Sequence, residues 1–453
     1  YTLILYLLKQ ETEFFNLDIV GYDIQSISVT WMAFFIVFAY LVKNLSLMFL
    51  TWIDTKFAYG VEARLSKSLF KGYLNLPYHF HLTKNASKLV YNATGAVAVF
   101  KATLFHVAVL ISELFVLLGI SVFLIIIEPF GFVCAALLIG LFATTYYKIH
   151  KKKVTEWGEK TQFHQKSRIK NLMQGLGAVK EIIILGLQNF FTNMYDIHNV
   201  EAAKMNRKND VVNQFPKYIL ELSGVIGILT ILIILKESVD KVEDVIIILG
   251  VFAAASFRLM PSANRILTAL QGFRYSIAAV DNLSDEFDLI NKKAVYTSEK
   301  KEKYDFLKFQ KFNLLNINYK YPNTENYILK NISLTLNKGE MLGIFGKTGS
   351  GKSTLIDIIA GLLNLEEGEI SIDQKKYKQV PIFWQRNIGY VPQNIYLLDD
   401  TLKKNIALGV SSENVNSEKI DELISLLDLK ALVNSLPKGL DTEVGELDIL
   451  VGA

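Results

Sequence analysis

The sequence predicts a multi-domain membrane protein, in which an all-α bundle of membrane-spanning helices precedes an α/β domain that opens on a glycine-rich loop. Three observations carry that prediction. Hydrophobic residues make up 51% of the 453 and charged residues only 20%, with a mean hydropathy of +0.28; disordered, disulfide-rich and ordinary soluble chains do not have this composition. The apolar residues gather in the first two-thirds, in runs close to the roughly 20 residues a helix needs to cross hydrocarbon. The last third instead alternates strand-like and helix-like stretches around GKTGSGKS, from Gly346 to Ser353.

Five apolar runs can be read in order. The first extends from about Val29 to Trp52 and contains Lys43; the second covers Thr103 to Ile127 and the third Phe130 to Tyr147. Only Glu128-Pro129 separates the second from the third, a tight hairpin, since proline cannot continue the preceding helix. The fourth covers Tyr218 to Leu235 and the fifth Val245 to Met260. Lysines and arginines follow the first run (Lys56, Arg64, Lys67, Lys71) and the third (Lys148, Lys151, Lys152, Lys153), and arginines cluster after or within the end of the fifth (Arg258, Arg265, Arg274), whereas the opposite ends are acidic. The positive-inside rule therefore puts Tyr1 outside and the last third in the cytoplasm, and a start on the outside predicts a further membrane helix upstream. The net charge of +4 is too small to point to nucleic acid, and the single cysteine, Cys134, excludes an internal disulfide.

The two inward connections, residues 53–102 and 148–217, are long and helix-like. They read as membrane helices continuing past the lipid surface, each broken once, at Leu76-Pro77 and around Gly175 to Gly177. His79 and His81 beside the first break stand at i,i+2, share no helix face, and so read as packing residues more readily than as metal ligands. The expected boundaries are an external segment over 1–28, the transmembrane domain over 29–290, a lysine-rich linker over 291–304, and the α/β domain over 305–453.

In that last domain strands are expected at Phe312 to Tyr319, Ile332 to Leu336 and Met341 to Phe345, the third running straight into the glycine-rich loop, with a helix after it. Strand, GxxxxGK[ST] and helix in this order form a phosphate-binding P-loop. Gly346, Gly349 and Gly351 let backbone N–H groups turn inward around phosphate oxygens, and the helix dipole adds positive potential. The pattern assigns Gly346, Lys347, Thr348, Gly349, Ser350, Gly351, Lys352, Ser353 and Thr354 to nucleotide binding. Lys352 would reach the β- and γ-phosphates and Ser353 would ligate Mg²⁺.

With these motifs in this order, the chain resembles an ABC transporter of the exporter type, a half-transporter with five of six membrane helices and an incomplete P-loop nucleotide-binding domain. The resemblance covers nearly the whole chain. It implies that Tyr321 in NYKYPN stacks on adenine and that Gln393 in IGYVPQ is the Q-loop glutamine, reaching Mg²⁺ and the attacking water. It makes TLKKNIALG and TEVGE parts of the helical subdomain, and it makes the two breaks coupling helices. It also implies a partner half-transporter, a homodimer in the simplest case, and a multi-pass place in the cytoplasmic membrane. The family's LSGGQ signature, Walker B aspartate and catalytic glutamate are absent from this sequence, and Asp448 stands where glycine is usual. The expectation is a chain that holds ATP and Mg²⁺ without hydrolysing ATP alone, a fragment or a truncated product. The bland alternative is a membrane protein that binds nucleotide and transports nothing.

For the cargo, RLMPSANRI (Arg258 to Ile266) resembles flippases of lipid-linked oligosaccharides, the PglK type, in which basic cavity residues are associated with the pyrophosphate. This assigns Arg258, Arg265, Lys217 and Lys43 to an anionic or lipid-linked substrate. A peptide or drug exporter is the rival reading, and structural ion pairing, for instance Lys43 with Glu113, is the competing role for these charges.

Overall fold

The computed structural model describes residues 29–127, 129–238, 242–293, 309–322, 324–393 and 395–445. The expected external segment, most of the linker and Asp448 lie outside them. Among the described residues five long helices dominate: α1 (Val29–Leu74), then, beyond two short helices, α4 (Val97–Ile127), α5 (Pro129–Gly177) and, beyond a third short helix, α7 (Gln188–Ser238), with α8 (Val242–Lys293) closing the set. The short helices are α2 (Tyr78–Thr83), α3 (Ala86–Tyr91) and α6 (Val179–Leu185), and a five-residue π-helical turn, Asn92–Ala96, joins α3 to α4.

Hydrocarbon offers the backbone no hydrogen-bond partner, so a crossing segment satisfies itself by becoming helical. Hydroxyls inside the apolar runs do the same, Ser46 and Thr51 each donating to the carbonyl four residues back at 2.8 Å. At 1.5 Å per residue, the 46 residues of α1 and the 49, 51 and 52 of α5, α7 and α8 make rods about 70–78 Å long, more than twice the hydrocarbon thickness. The stretches Ala33–Leu74 and Ala86–Ile126 contain apolar windows with mean hydropathy of 2.0 and 2.8. The inward connections are thus continuous extensions of these rods, as their lack of breakers indicated.

The two breaks fall where the sequence put them. α1 ends at Leu74, and Pro77 precedes α2 with an extended ψ of 146°, turning the chain back. His81 Nε2 lies 3.0 Å from the Tyr73 carbonyl and closes that turn, a packing role. In the second connection, α5 stops at Gly177 and α6 ends on Gly186 at φ 67°, a left-handed cap.

A buried polar hub ties the extensions of the rods together. Glu286 of α8, only 6% exposed, accepts from Lys88 of α3 at 3.0 Å and from the Tyr73 hydroxyl of α1 at 3.2 Å. Asn92 in the π-turn donates to Tyr73, Asn282 donates to Asn92 at 2.8 Å, and Lys166 of α5 donates to Asn282 at 3.0 Å. Burial and the nearby Lys88 push the Lys166 ammonium below its ordinary value, and burial pushes the Tyr73 phenol up. Around the hub Leu69, Phe80, Tyr91, Ala96, Val97 and Leu283 form a dry cluster.

The α/β part is a four-stranded antiparallel sheet, with β1 (Lys311–Tyr319) between β2 (Leu329–Asn337) and β3 (Glu367–Ile372), and β4 (Lys375–Tyr377) at the edge beyond β3. Its core gathers Phe312, Leu314, Ile317, Ile370 and Ile372 from the strands, with Leu355 and Ile358 from α9 (Lys352–Ile359) and Trp384 stacked on Phe312 at 4.7 Å. One expected element is not formed. Residues 341–345 have no strand geometry, and Met341 and Phe345 are 96% and 93% exposed. A strand is defined by its ladder, and among the described residues none lies beside this apolar stretch to pair with it.

Gly158 of α5 faces the α8 backbone so closely that a Cβ there would collide with the Tyr275 carbonyl. Gly158→Val is therefore expected to cost about 1–3 kcal/mol by forcing the rods apart, read as a lower thermal transition of the purified protein in detergent. Gly60→Ala, at a glycine with open space around it, serves as the neutral control.

Candidate functional site

The glycine-rich loop runs into α9, whose cap is Gly351 at φ 89°, with Gly349 at φ 81° two residues before. L-residues rarely adopt that conformation, and a Cβ on Gly351 would also press on Leu329 at 2.8 Å and Ile328 at 3.0 Å. The loop thus turns tightly, leaving the first N–H groups of α9 as donors at its mouth. Lys352 folds back over this turn, its Nζ donating to the carbonyls of Gly346 and Lys347 at 2.8 Å each. An ammonium has three donors. Two fix its position, and the third suits a phosphate oxygen. Ser353, next in the chain, is exposed with no hydrogen-bond partner among the described residues, as an ion ligand at a loop mouth would be.

Tyr321 reaches the same place from the end of β1. Its hydroxyl lies 3.2 Å from Thr354 Oγ1, and its ring meets Tyr319 edge to face at 5.3 Å. Thr354 is only 5% exposed, so its hydroxyl steadies Tyr321 and faces away from solvent. Gln393 is exposed in the irregular stretch beyond Ile388, and among the described residues no hydrogen bond ties it to the glycine-rich loop. The structure therefore groups Tyr321 with 346–354 and leaves Gln393 apart.

The coupling role expected for the Leu76-Pro77 break named no residue at this site, and the structure supplies one, Tyr78. Tyr78, at the start of α2, has its phenol pushed up first by burial and then by the nearby Asp357, Tyr390 and Tyr321. Asp357 lies on α9 itself, and its carboxyl is pushed up by burial. The tip of the first inward connection thus sits beside the helix that starts at the glycine-rich loop. The aromatic run YHFH after the Leu76-Pro77 break was the available signal.

Among the basic candidates in the membrane part, the described side chains of Arg265, Lys43 and Lys217 each lie against a different neighbour. Arg265 grips Glu113 of α4 with two bonds, Nε to Oε1 at 2.5 Å and a terminal nitrogen to Oε2 at 3.3 Å. The partner of Glu113 is thus Arg265 and not Lys43, because α8 packs along α4 while Lys43 stays on exposed α1, 4.9 Å above the Tyr40 ring of its own helix. Lys217 is exposed, its ammonium 5.9 Å from the neighbouring Tyr218 ring. The Arg258 backbone is helical within α8.

The family model described as the ABC transporter transmembrane region matches residues 3–259, and the one described as ABC transporter matches 329–444. An ATP-dependent lipid A-core flippase of Aliivibrio fischeri is 23% identical over 412 residues, 88% of this chain and 67% of that protein. The nisin transport ATP-binding protein NisT of Lactococcus lactis is 28% identical over 280 residues, 59% of this chain and 44% of that one. The multidrug resistance-like ATP-binding protein MdlA of Escherichia coli is 34% identical over 139 residues, 29% of this chain and 22% of that one. The chain thus spans 67%, 44% and 22% of the lengths of these three relatives. Among solved structures, a bacterial Atm1-family ABC exporter with ATP bound superposes with a TM-score of 0.74 at 18% identity, over 90% of this chain and 72% of that one.

Two outcomes follow from this geometry. Lys352→Ala is expected to weaken binding of a fluorescent ATP analogue at least tenfold in a direct titration, since it deletes a charge-assisted phosphate bond. In the membrane, Glu113→Ala alone should lower the thermal transition more than Glu113→Ala with Arg265→Ala, because the single change strands the guanidinium; an additive cycle would remove the pairing.

Proposed function

This chain belongs to the ABC transporter family, and from that premise we propose that it works as an exporter-type half-transporter in the cytoplasmic membrane, coupling ATP binding to the outward movement of a lipid-linked cargo. The observation that carries the reading is the Lys352 bridge across a glycine-capped helix start, with the bundle tip at Tyr78 close enough to feel the charge of Asp357 on the same helix. The residues fit a magnesium-bound nucleotide: the α9 N–H groups and Lys352 would hold its phosphates, Ser353 would take a place on Mg²⁺, and Tyr321 would offer its ring to the base. The bound nucleotide supplies negative charge, and Mg²⁺ spreads it. The protein's own share is to convert that charge into position. Drawing Lys352 and the start of α9 toward the phosphates moves Asp357, and with it the surface that meets Tyr78.

A second copy is the proposed partner. The tip formed by α6 exposes Ile183, Ile184 and Leu185, at 62%, 72% and 65%, an apolar end suited to a second nucleotide-holding domain. ATP hydrolysis is proposed for the assembled pair.

For the cargo, the lipid A-core flippase relatives and the basic residues of RLMPSANRI favour a lipid-linked saccharide, including the pyrophosphate-linked class. Since Arg265 is matched by Glu113, any anionic headgroup would have to share that guanidinium, and Arg258 becomes the stronger candidate. Likeness to NisT and MdlA supports a peptide or drug cargo as the second reading.

The test uses proteoliposomes of the full-length protein. ATP-driven flipping of a polyprenyl-pyrophosphate glycan, absent in Lys352→Ala and lowered at least fivefold in Arg258→Ala with Arg265→Ala, is the expected result. Uptake of hydrophobic peptides or dyes without glycan flipping would replace this cargo, and transport surviving Lys352→Ala would overturn the mechanism.

A further inference from the structure

Where α5 leaves the apolar run it presents Lys148, Lys151, Lys152 and Lys153 within six residues. The same level of the bundle holds a cleft of about 290 Å³ between α5 and α8, lined by Lys151, Lys152, Thr155, Glu156 and Glu159 from the first helix and Arg274 from the second. The guanidinium is held in place: Arg274 Nε donates to the hydroxyl of Tyr147, the last residue of the apolar run, at 2.9 Å. This bond uses Nε alone, so both terminal nitrogens stay available for a planar, bidentate acceptor.

The charge balance in the cleft is one-sided. Glu156 is taken by Lys160 at 2.6 Å, which leaves Glu159 as the one lining carboxylate without an ion pair. Among the described residues no carboxylate pairs with Lys148, Lys151, Lys152, Lys153 or Arg274. Uncompensated ammonium and guanidinium groups from two helices therefore converge one turn beyond an aromatic residue at the membrane boundary. A merely solvated lysine face would need neither the fixed arginine nor a cavity. Membrane depth selects the ligand, since a tyrosine at the interface sits at headgroup level, and basic clusters just cytoplasmic of a span attract anionic lipid.

We propose that the cleft between α5 and α8 is a binding site for the phosphate of an anionic phospholipid of the inner leaflet, held by Lys151, Lys152 and Arg274. The acyl chains would lie along the apolar parts of the two rods, and the site is distinct from the residues assigned to the cargo. The proposal rests on the membrane topology of the reading above and is independent of its cargo.

The test is lipid retention by the full chain, purified in detergent and titrated separately with phosphatidylglycerol, phosphatidylcholine and sodium phosphate, with bound lipid counted by native mass spectrometry. Tight retention of phosphatidylglycerol, little of phosphatidylcholine, and no displacement by millimolar phosphate are expected; displacement would make free phosphate the ligand and overturn the lipid assignment. Lys151→Ala with Lys152→Ala should weaken phosphatidylglycerol binding about tenfold or more, at roughly the contribution of a basic residue per lysine. Lys148→Ala with Lys153→Ala removes the same charge from outside the cleft and should change it less than about twofold. Equal losses in the two pairs would mean diffuse attraction and no site. Arg274→Lys keeps the charge and loses the fork, and an unchanged affinity there would remove the bidentate contact. Unaltered ATP-analogue binding in each variant reports folding, and a chain that stays dispersed without detergent would instead sink the topology.

Discussion

A backbone inside hydrocarbon has to satisfy its own hydrogen bonds, and the architecture of this chain depends on that constraint. Once a segment has become a helix in order to cross, continuing it needs no new nucleation, only residues that do not break it. α1, α5, α7 and α8 therefore run far beyond the lipid as stiff extensions of 46 to 52 residues, counting their membrane parts. Such rods are stiff, so a displacement at their tips would reach the apolar runs without being absorbed by loops. The breaks at Pro77 and Gly186 then matter as the points where the rods end and touch something else.

The hub around Glu286 adds a second constraint. A carboxylate that is 6% exposed is tolerated only while Lys88 and Tyr73 stay in place. The hub thus fixes the relative position of α1, α3 and α8 just above the turn that carries Tyr78. Through Asn92, Asn282 and Lys166 the same chain of bonds reaches α5. The turn that carries Tyr78 is thus tied to several helices together, and Tyr78 in turn lies near Asp357 of α9.

Much of this was legible in the sequence. Apolar run lengths, lysine placement and the two breaks located the rods and their ends, since membrane crossing imposes a length and a charge asymmetry on any chain. GKTGSGKS specified the loop because positive φ at Gly349 and Gly351 is a local demand met by residue type. Tertiary facts were not legible. MLGIF before the loop has the composition of a buried strand, yet pairing depends on a neighbour that composition does not name, and only Ile344 of the stretch packs against the sheet core. The match of Glu113 with Arg265, 152 positions away, depends on which helices pack together. The nearness of Tyr78 to Asp357 likewise joins distant parts of the chain, and the expected coupling role of the Leu76-Pro77 break did not say which residue would supply it.

The π-turn at Asn92–Ala96 has one more consequence. Such a turn accommodates one residue more than an α-helical register allows, and so rotates everything after it by about 100° around the axis. Asn92 can then face the Glu286 cluster while, further along the same continuous helix, Glu113 meets Arg265. Shortening this turn by a single residue would leave both ends helical and equally apolar, yet swing one of the two acidic contacts out of phase with its basic partner. The chain therefore keeps two angular settings on one shaft, and the extra residue is the offset between them.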